Sequence, residues 1–180
     1  AAPQPGEPEA IAELLGRQLP QIAERLKSTL EKLQRPPRVA DDLIDASEWW
    51  AGLQQRYGGT RVVWVAGYWQ RGALLPRGLF DSVAENLLHN ALAKARREDG
   101  IEIVVELSPG PKSLCLKVGD SGSAIADHLA NRLLREPVTS DDGLGIGLYH
   151  AARQAEELGF RLLLDENRDG RVAFSLAIRP

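Results

Sequence analysis

The sequence contains no methionine and only one cysteine. Methionine is absent even from position 1, so we interpret the chain as a processed product or an excised piece of a longer protein and expect further domains upstream. The lone Cys115 excludes an internal disulfide and a cysteine-rich metal site. Because Cys115 alternates with Leu114 and Leu116, it is predicted to be an inert thiol on a strand.

Long apolar runs and a strong charge of one sign are also missing. No segment approaches the roughly 20 apolar residues needed to span a bilayer, and residues 1–8 lack the basic and then apolar layout of a signal peptide. The net charge is −3 and the 22 basic residues are scattered, which argues against nucleic-acid partners. With 43% apolar and 26% charged residues, the composition is that of an ordinary globular domain.

A proline-rich linker divides the chain. Within residues 9–34, apolar residues recur in a heptad-like stripe that predicts a helix, kinked or restarted at Pro20; the stripe comprises Leu15, Leu19, Ile22, Leu26 and Leu33. Arg35, Pro36 and Pro37 then end it. We therefore predict an N-terminal helix and linker over residues 1–37 and a second domain over residues 38–180. A plain coiled-coil linker remains an alternative for the N-terminal segment.

The second domain shows the periodicities of an α/β fold. Helices are predicted over 41–57, 76–98, 124–134 and 145–158, and strands over 61–68, 101–107, 113–118, 161–165 and 171–178. Turn sequences at 108–111 and 167–170 predict two hairpins. Since adjacent helical residues point in different directions, we expect one of Trp49 and Trp50 to be buried and the other to face the N-terminal helix or a partner.

One segment has the composition of a phosphate-binding loop. Gly143, Gly145 and Gly147 lie in a loop that leads into a predicted helix, where backbone N–H groups and the positive helix end can face an anion. No Gly-Lys-Ser/Thr follows, so it is not a Walker loop. It does not follow a strand of a βαβ unit, which argues against a dinucleotide fold. A simple turn remains the alternative.

Two asparagines and one aspartate complete the candidate chemistry. Asn86 and Asn90 are four residues apart, so they share one face of the long helix, where their carbonyl oxygens could face Mg²⁺ and phosphates or merely solvent. Asp120 ends a strand before Ser121 and Gly122. Its carboxylate could accept a hydrogen bond from an exocyclic amine such as that of adenine, or serve only as a turn residue.

Taken in order, these segments resemble the N, G1 and G2 boxes of the GHKL ATP-binding fold in its histidine-kinase branch. The three are Glu85-Asn86-Leu87-Leu88-His89-Asn90-Ala91, Asp120-Ser121-Gly122 and Gly143-Leu144-Gly145-Ile146-Gly147-Leu148. The resemblance covers about residues 38–180. It implies a two-layer α/β sandwich in which a mixed sheet of about five strands is covered on one face by about three helices.

The resemblance also implies a role for each matching residue. Asn90 would contact Mg²⁺ and the phosphates of ATP with Asn86 assisting, Asp120 would recognise the adenine amino group, and Gly122 would keep the turn tight. The third segment would wrap the phosphates; its members are Gly143, Leu144, Gly145, Ile146, Gly147 and Leu148. Residues 124–142 would form a lid over the nucleotide.

The sequence departs from the family mainly at the phosphate end. Ala93 stands where a lysine is usual, so Lys94, Arg96 or Arg97 would have to supply the positive charge. Asp141 and Asp142 stand where a lid lysine is common and would repel phosphates. Further departures are Ala124 in place of a second glycine and Val172 near the position of an expected threonine.

The kind of chemistry depends on which acid and acceptor residues are present. Hydrolytic relatives of the fold carry a glutamate where this chain has Asn86, and Glu85 is rotated about 100° away on the helix. Hydrolysis is therefore disfavoured and phosphotransfer favoured. None of His89, His128 and His150 has the following acid and later proline of a phosphoacceptor.

The resemblance thus implies the ATP-binding half of a sensor histidine kinase. The helix over residues 9–34 would be the later part of a dimerisation hairpin. The partners would be the dimerisation and phosphoacceptor domain of the same kinase and a response regulator, in a homodimeric full-length protein. It would be a cytoplasmic domain whose parent could be anchored in the inner membrane. Two alternatives stay open: a serine kinase of the anti-sigma-factor type, and a degenerate module that uses the fold for nucleotide or protein binding.

Overall fold

The computed structural model describes residues 42–110, 113–138 and 146–179. The N-terminal segment predicted over 1–37 and most of the glycine-rich loop lie outside these residues. The domain contains seven described strands and four described helices. In chain order they are β1 Leu43–Asp45, α1 Ala46–Tyr57, β2 Val62–Ala66, β3 Leu74–Pro76, α2 Arg77–Ala95, β4 Ile103–Pro109, β5 Leu114–Asp120, α3 Asp127–Ala130, α4 Ile146–Glu157, β6 Phe160–Arg168 and β7 Arg171–Ile178.

Five of the strands form one mixed sheet in the order β2-β4-β5-β7-β6. Strand β2 pairs parallel with β4, and every other neighbouring pair in this sheet is antiparallel. The short strands β1 and β3 form a separate two-stranded sheet. Both predicted hairpins are present, β4–β5 and β6–β7, because turn sequences separate alternating apolar runs.

Helices α1, α2 and α4 pack on one face of the sheet. Alternate residues of β5 (Leu114, Leu116 and Val118) are buried, and the residues between them are half-buried. Along α2 the buried residues recur every three or four positions, as a core-facing helix requires; they are Leu79, Phe80, Val83, Ala84, Leu87, Leu88 and Ala91. The predicted two-layer α/β sandwich is confirmed.

Some predicted boundaries are wrong. The first helix begins at Ala46 and not at residue 41, because Asp45 caps it by accepting hydrogen bonds from the N–H groups of Ser47 and Glu48 at 2.8 and 3.4 Å. The short strand β3 was not expected. The predicted helix over 124–134 contains only four α-helical residues, Asp127–Ala130.

The prediction that only one of Trp49 and Trp50 is buried is also wrong. The two are 2% and 6% exposed. The rings of Trp49 and Phe80 meet edge to face with their centroids 5.5 Å apart. The rings of Trp50 and Trp64 meet in the same geometry with their centroids 5.4 Å apart. Successive helical residues diverge by about 100°, so the two rings point to different sides, and each is buried because it has a separate aromatic partner.

Candidate functional site

A cavity of about 520 Å³ lies beneath α2, between the inner face of the sheet and the segment that follows β5. Its walls are largely apolar, and among the lining residues are Leu87, Val118, Ile125, Leu133, Leu148 and Phe174. Polar side chains from the middle and the C-terminal part of α2 and from the end of β5 also line it. An apolar cavity with a few convergent polar groups is the usual form of a small-molecule site.

The two asparagines occupy one side of this cavity. Asn86 is half-buried and its Nδ2 donates to the carbonyl of Ser82 at 2.7 Å, within α2. Its Oδ1 faces Gly147, where an added Cβ would lie only 2.0 Å from that oxygen. Asn90 lies one turn further along α2 and is exposed at the cavity wall. The structure therefore brings Asn86, Asn90 and the start of α4 together.

The glycine-rich segment is described only in part. Gly143, Leu144 and Gly145 lie outside the described residues, as do Asp141 and Asp142. Ile146, Gly147 and Leu148 form the first turn of α4, and both Gly147 and Leu148 line the cavity.

Asp120 lies on the cavity floor because of its position in β5. Side chains alternate along a strand, so Asp120 lies on the same face of the sheet as the buried Leu116 and Val118, the face that the helices cover. Its Oδ1 accepts the N–H of Gly122 at 2.9 Å, as expected for a tight turn. The same oxygen accepts Lys94 Nζ at 2.8 Å.

Lys94 is therefore placed at the floor of the cavity, beside the carboxylate. The sequence predicts Lys94, Arg96 or Arg97 as a substitute phosphate ligand, and this stays a prediction. In the structure the Lys94 ammonium also donates to the carbonyl of Ser123. The Lys94 and Asp120 side chains are 18% and 10% exposed. The signal was present in the sequence: Asn86, Asn90 and Lys94 are spaced four apart, which sets them on one helix face that descends towards the end of β5.

The turn after β5 is held from two sides, by residues that sequence analysis missed. Glu98 accepts the N–H and the hydroxyl of Ser123 at 2.9 and 2.7 Å. Both hydrogen bonds lower the pKa of Glu98 below its ordinary value, and the one from the Ser123 hydroxyl has the larger effect. Lys94 is in the last turn of α2 and Glu98 lies just beyond the end of the helix, so this end of the helix and the residues after it contact the turn through two side chains.

The β6–β7 turn holds the other side. Asp169 Oδ1 accepts the N–H of Ala124, and Asn167 Oδ1 accepts the N–H of Ile125, both at 2.8 Å. Gly170, whose φ of 78° suits glycine, donates to the carbonyl of Gly122 at 2.9 Å. The sequence predicts only that residues 167–170 form a turn, because local sequence does not show which other segment a turn contacts.

Gly122 is buried within this arrangement. A Cβ at this position would lie 2.6 Å from Lys94 Cε, 2.7 Å from Ile101 Cδ1 and 2.9 Å from Glu98 Oε2. Glycine thus leaves room for the lysine stem to reach Asp120, and a larger residue would make the ends of these side chains shift.

The described residues hold no group of three or more histidine, cysteine, aspartate or glutamate side chains that could bind a metal. Glu85 is exposed, and Asn86 rather than Glu85 lines the cavity.

In the part of the chain that the structure describes, no helix is long and apolar enough to cross a membrane.

Comparison with known proteins identifies the fold. No protein-family model matches the sequence, and no curated protein matches it. Among solved structures, the catalytic domain of the histidine kinase ThkA has a TM-score of 0.61 at 18% identity, over 76% of this chain and 93% of that one. Full-length ShkA in complex with AMPPNP has a TM-score of 0.75 at 14% identity, over 99% of this chain and 41% of that one.

A complex of ThkA with the response regulator protein TrrA is also similar, with a TM-score of 0.66 at 15% identity, over 98% of this chain and 52% of the matched chain. This chain therefore spans about half or less of the two longer proteins and nearly all of the isolated ThkA catalytic domain. Its fold is that of the catalytic domains of histidine kinases.

Proposed function

We propose that the chain binds Mg-ATP and donates the γ-phosphate to a histidine on a dimerisation domain, as the ATP-binding part of a two-component sensor kinase. The observation that carries this is Asp120, a carboxylate with 10% of its side chain exposed, on the floor of an apolar cavity. In this position it can accept a hydrogen bond from the amino group of adenine. Apolar walls suit the base that would lie above it.

The opposite part of the cavity suits the phosphates. Asn86 and Asn90 present amide groups beside the start of α4, whose N-terminal N–H groups favour anions. Glycine at position 147 allows the helix backbone to approach Asn86 closely. Oxygen donors of this kind fit Mg²⁺, which when bound would neutralise phosphate charge. Asn90 would hold the ion and Asn86 would assist.

The chemistry is transfer and not hydrolysis. Asn86 stands where a general base would be needed to activate water, so water is not activated there. In the transfer, the acceptor imidazole nitrogen forms a bond to the γ-phosphorus while the bond to the bridging oxygen breaks and ADP leaves. His89, His128 and His150 are exposed and lack the acceptor pattern, so the acceptor lies on a separate domain.

The proposed partners follow from this chemistry. They are the phosphoacceptor domain of the same kinase, in a homodimer, and a response regulator that would receive the phosphoryl group; the ThkA complex with a response regulator supports the latter. We propose a cytoplasmic site of action, where ATP is available.

One observation favours a second candidate, a degenerate module. Lys94 neutralises the charge of Asp120 by donating to its Oδ1, and Ala93 leaves the usual lysine position without charge. If the cavity binds no nucleotide, the domain would use the fold for protein contact only.

Phosphotransfer is tested by incubating the chain with labelled ATP and a separate phosphoacceptor hairpin from a sensor kinase. We expect label on the hairpin and none on the 180-residue chain itself. Strong labelling of the chain alone would contradict the absence of an acceptor histidine, and labelling of a serine on a partner would favour the anti-sigma-factor type of kinase.

Replacement of Asp120 tests nucleotide binding. Asp120→Asn should weaken Mg-ADP binding by about tenfold or more, because a hydrogen bond to a charged acceptor contributes about 1.5–3 kcal/mol. Calorimetry of the purified chain measures the effect. Asp165→Asn, which removes the same charge from an exposed position on β6, is the control and should bind as the wild type does. No heat for the wild type at millimolar nucleotide would favour the degenerate module.

Replacement of Asn90 tests the metal assignment. Asn90→Ala should abolish the difference between ADP affinities measured with and without magnesium, because its amide oxygen is the proposed ligand. Titrations at several magnesium concentrations give this difference directly. If Asn90→Ala keeps the full magnesium dependence, the ion is bound elsewhere.

A further inference from the structure

The position of Lys94 carries an inference that rests on the proposed function. Its ammonium donates to Asp120 Oδ1 at 2.8 Å and to the carbonyl of Ser123. An ammonium has three N–H donors, and within the described residues two of them are used at the end of β5. Because the side chain is only 18% exposed, its charge is directed towards the floor of the cavity and not towards solvent.

The carboxylate is oriented by these contacts. Oδ1 of Asp120 accepts from both Lys94 Nζ and the N–H of Gly122. A carboxylate offers about four acceptor positions on two oxygens, so two fixed bonds on Oδ1 leave Oδ2 as the oxygen for a ligand. The Ser123 contact fixes the ammonium in turn, since the backbone of that turn is held by Glu98.

The surroundings of the pair are built around the lysine stem. Gly122 is the residue that leaves space for it, because a Cβ there would lie 2.6 Å from Lys94 Cε. Pairing also offsets part of the cost of placing each charge at an almost buried site. The lysine, the glycine and the carboxylate thus form one unit, contributed by α2 and by the turn after β5.

We propose that Lys94 is a positioning residue for base recognition. It holds Asp120 so that the second carboxylate oxygen meets the 6-amino group of a purine, and it does not bind the phosphates. The ligand class is then a 6-aminopurine nucleotide, selected over one with a 6-oxo group. In a 6-oxo base the exocyclic atom is itself an acceptor and is repelled by a carboxylate fixed in this way.

The test compares ADP with one ligand that differs only in the base, inosine diphosphate, and with one that lacks the phosphates, adenosine. Affinities of ADP, adenosine and inosine diphosphate are measured for the wild type, Lys94→Met and the control Lys117→Met. Lys117 has the same charge but lies on the other face of β5, where it pairs with Glu166. In Lys94→Met we expect the preference for ADP over inosine diphosphate to fall by about tenfold, the loss of one charge-assisted hydrogen bond. ADP and adenosine should weaken by a similar factor, and Lys117→Met should keep the wild-type preference.

Other results overturn the proposal. If Lys94→Met weakens ADP and leaves adenosine unchanged, Lys94 is a phosphate ligand. If all three ligands weaken equally, its role is only structural. If Lys94→Met does not fold, Lys94→Gln replaces it, and unchanged selectivity in that variant is equally decisive against the proposal. If the wild type binds none of these ligands, the proposed function fails together with the role of Lys94. If the wild type binds ADP and the selectivity of Lys94→Met is unchanged, only the role of Lys94 fails.

Discussion

At the scale of single residues, the contact between Asn86 and Gly147 joins α2 to α4. The amide of Asn86 is held by the carbonyl of Ser82 on one side, and its oxygen faces the glycine on the other. The space for this oxygen exists because residue 147 has no side chain. A change at either residue therefore acts through the other.

Gly147→Ala should have opposite effects in two backgrounds. In the wild type the added Cβ forces Asn86 from its position, and we expect a loss of about 1 kcal/mol in the free energy of unfolding. In the Asn86→Ala background the space is free, and alanine should stabilise the helix by about 0.5–1 kcal/mol. Urea denaturation of the four proteins in this double-mutant cycle measures both values. Equal effects in the two backgrounds would show that the side chains do not interact.

The environment of Cys115 accounts for a weakly reactive thiol. Cys115 is half-buried on β5. Burial is the largest cause that raises the pKa of its thiol, and the negative charges of the nearby Asp165 and Glu106 raise it further. A raised pKa lowers the thiolate fraction at neutral pH. The predicted inert thiol is consistent with this environment.

At the scale of secondary structure elements, α2 organises the site. It carries Asn86, Asn90 and Lys94 at intervals of four residues, and Glu98 follows shortly after the helix ends at Ala95. The first two lie beside the start of α4, and the last two contact the turn after β5. One helix therefore connects the proposed phosphate end with the proposed base end.

The contact between Glu98 and Ser123 should make part of the stability depend on pH. The pKa of Glu98 is lower in the folded chain than its ordinary value of 4.5. A carboxyl group with a lowered folded pKa contributes stability above its unfolded pKa, and this contribution is lost as the pH falls through the folded pKa. Ser123→Ala should thus destabilise the chain at neutral pH and have a smaller effect at about pH 3.

Denaturant midpoints of the wild type and Ser123→Ala, measured from about pH 7 down to about pH 3, give this difference. The matched control is the same substitution in a Glu98→Gln background, which cannot titrate and should show an effect independent of pH. A wild-type difference that grows as the pH falls would contradict the assigned hydrogen bonds.

At the scale of the whole molecule, Phe80 connects three elements of the core. It is fully buried on α2 and meets Trp49 of α1 and Phe160 of β6 edge to face, at 5.5 and 5.8 Å. Trp49 is fixed further by donating from Nε1 to Asp81 at 2.9 Å. Stability of the helical layer therefore depends on a ring cluster remote from the cavity.

Phe80→Leu should lower the free energy of unfolding by about 1–3 kcal/mol, because both edge-to-face contacts are lost and leucine fills the space poorly. Tyr68→Leu is the control, since Tyr68 is 100% exposed and its loss should change stability by less than about 0.5 kcal/mol. Urea unfolding followed by tryptophan fluorescence measures both. Equal effects would show that the aromatic cluster does not hold the layer.

Much of the fold could be predicted because its signals are local. Apolar periodicity locates the long helix and the strands on either side of each hairpin, and turn residues locate the hairpins. Predictions that depended on long-range packing failed. Trp50 is buried because Trp64 of a distant strand lies opposite it, and β3 forms because β1 is there to pair with it.

The candidate site divides in the same way. The spacing of Asn86 and Asn90, the strand parity of Asp120 and the glycines of the third segment are properties of the sequence. The resemblance of these segments to the GHKL boxes predicted the fold of a histidine-kinase catalytic domain, and that fold is observed. Which group each side chain meets is not such a property. Lys94 could reach either end of the cavity by helix geometry alone; only the approach of α2 to the turn after β5, through the space left by Gly122, directs its ammonium to Asp120. The sequence by itself determined the fold class and which residues share one face of α2, because helix and strand periods are local, whereas the tertiary structure decided the partner of Lys94, because that depends on how separate elements pack.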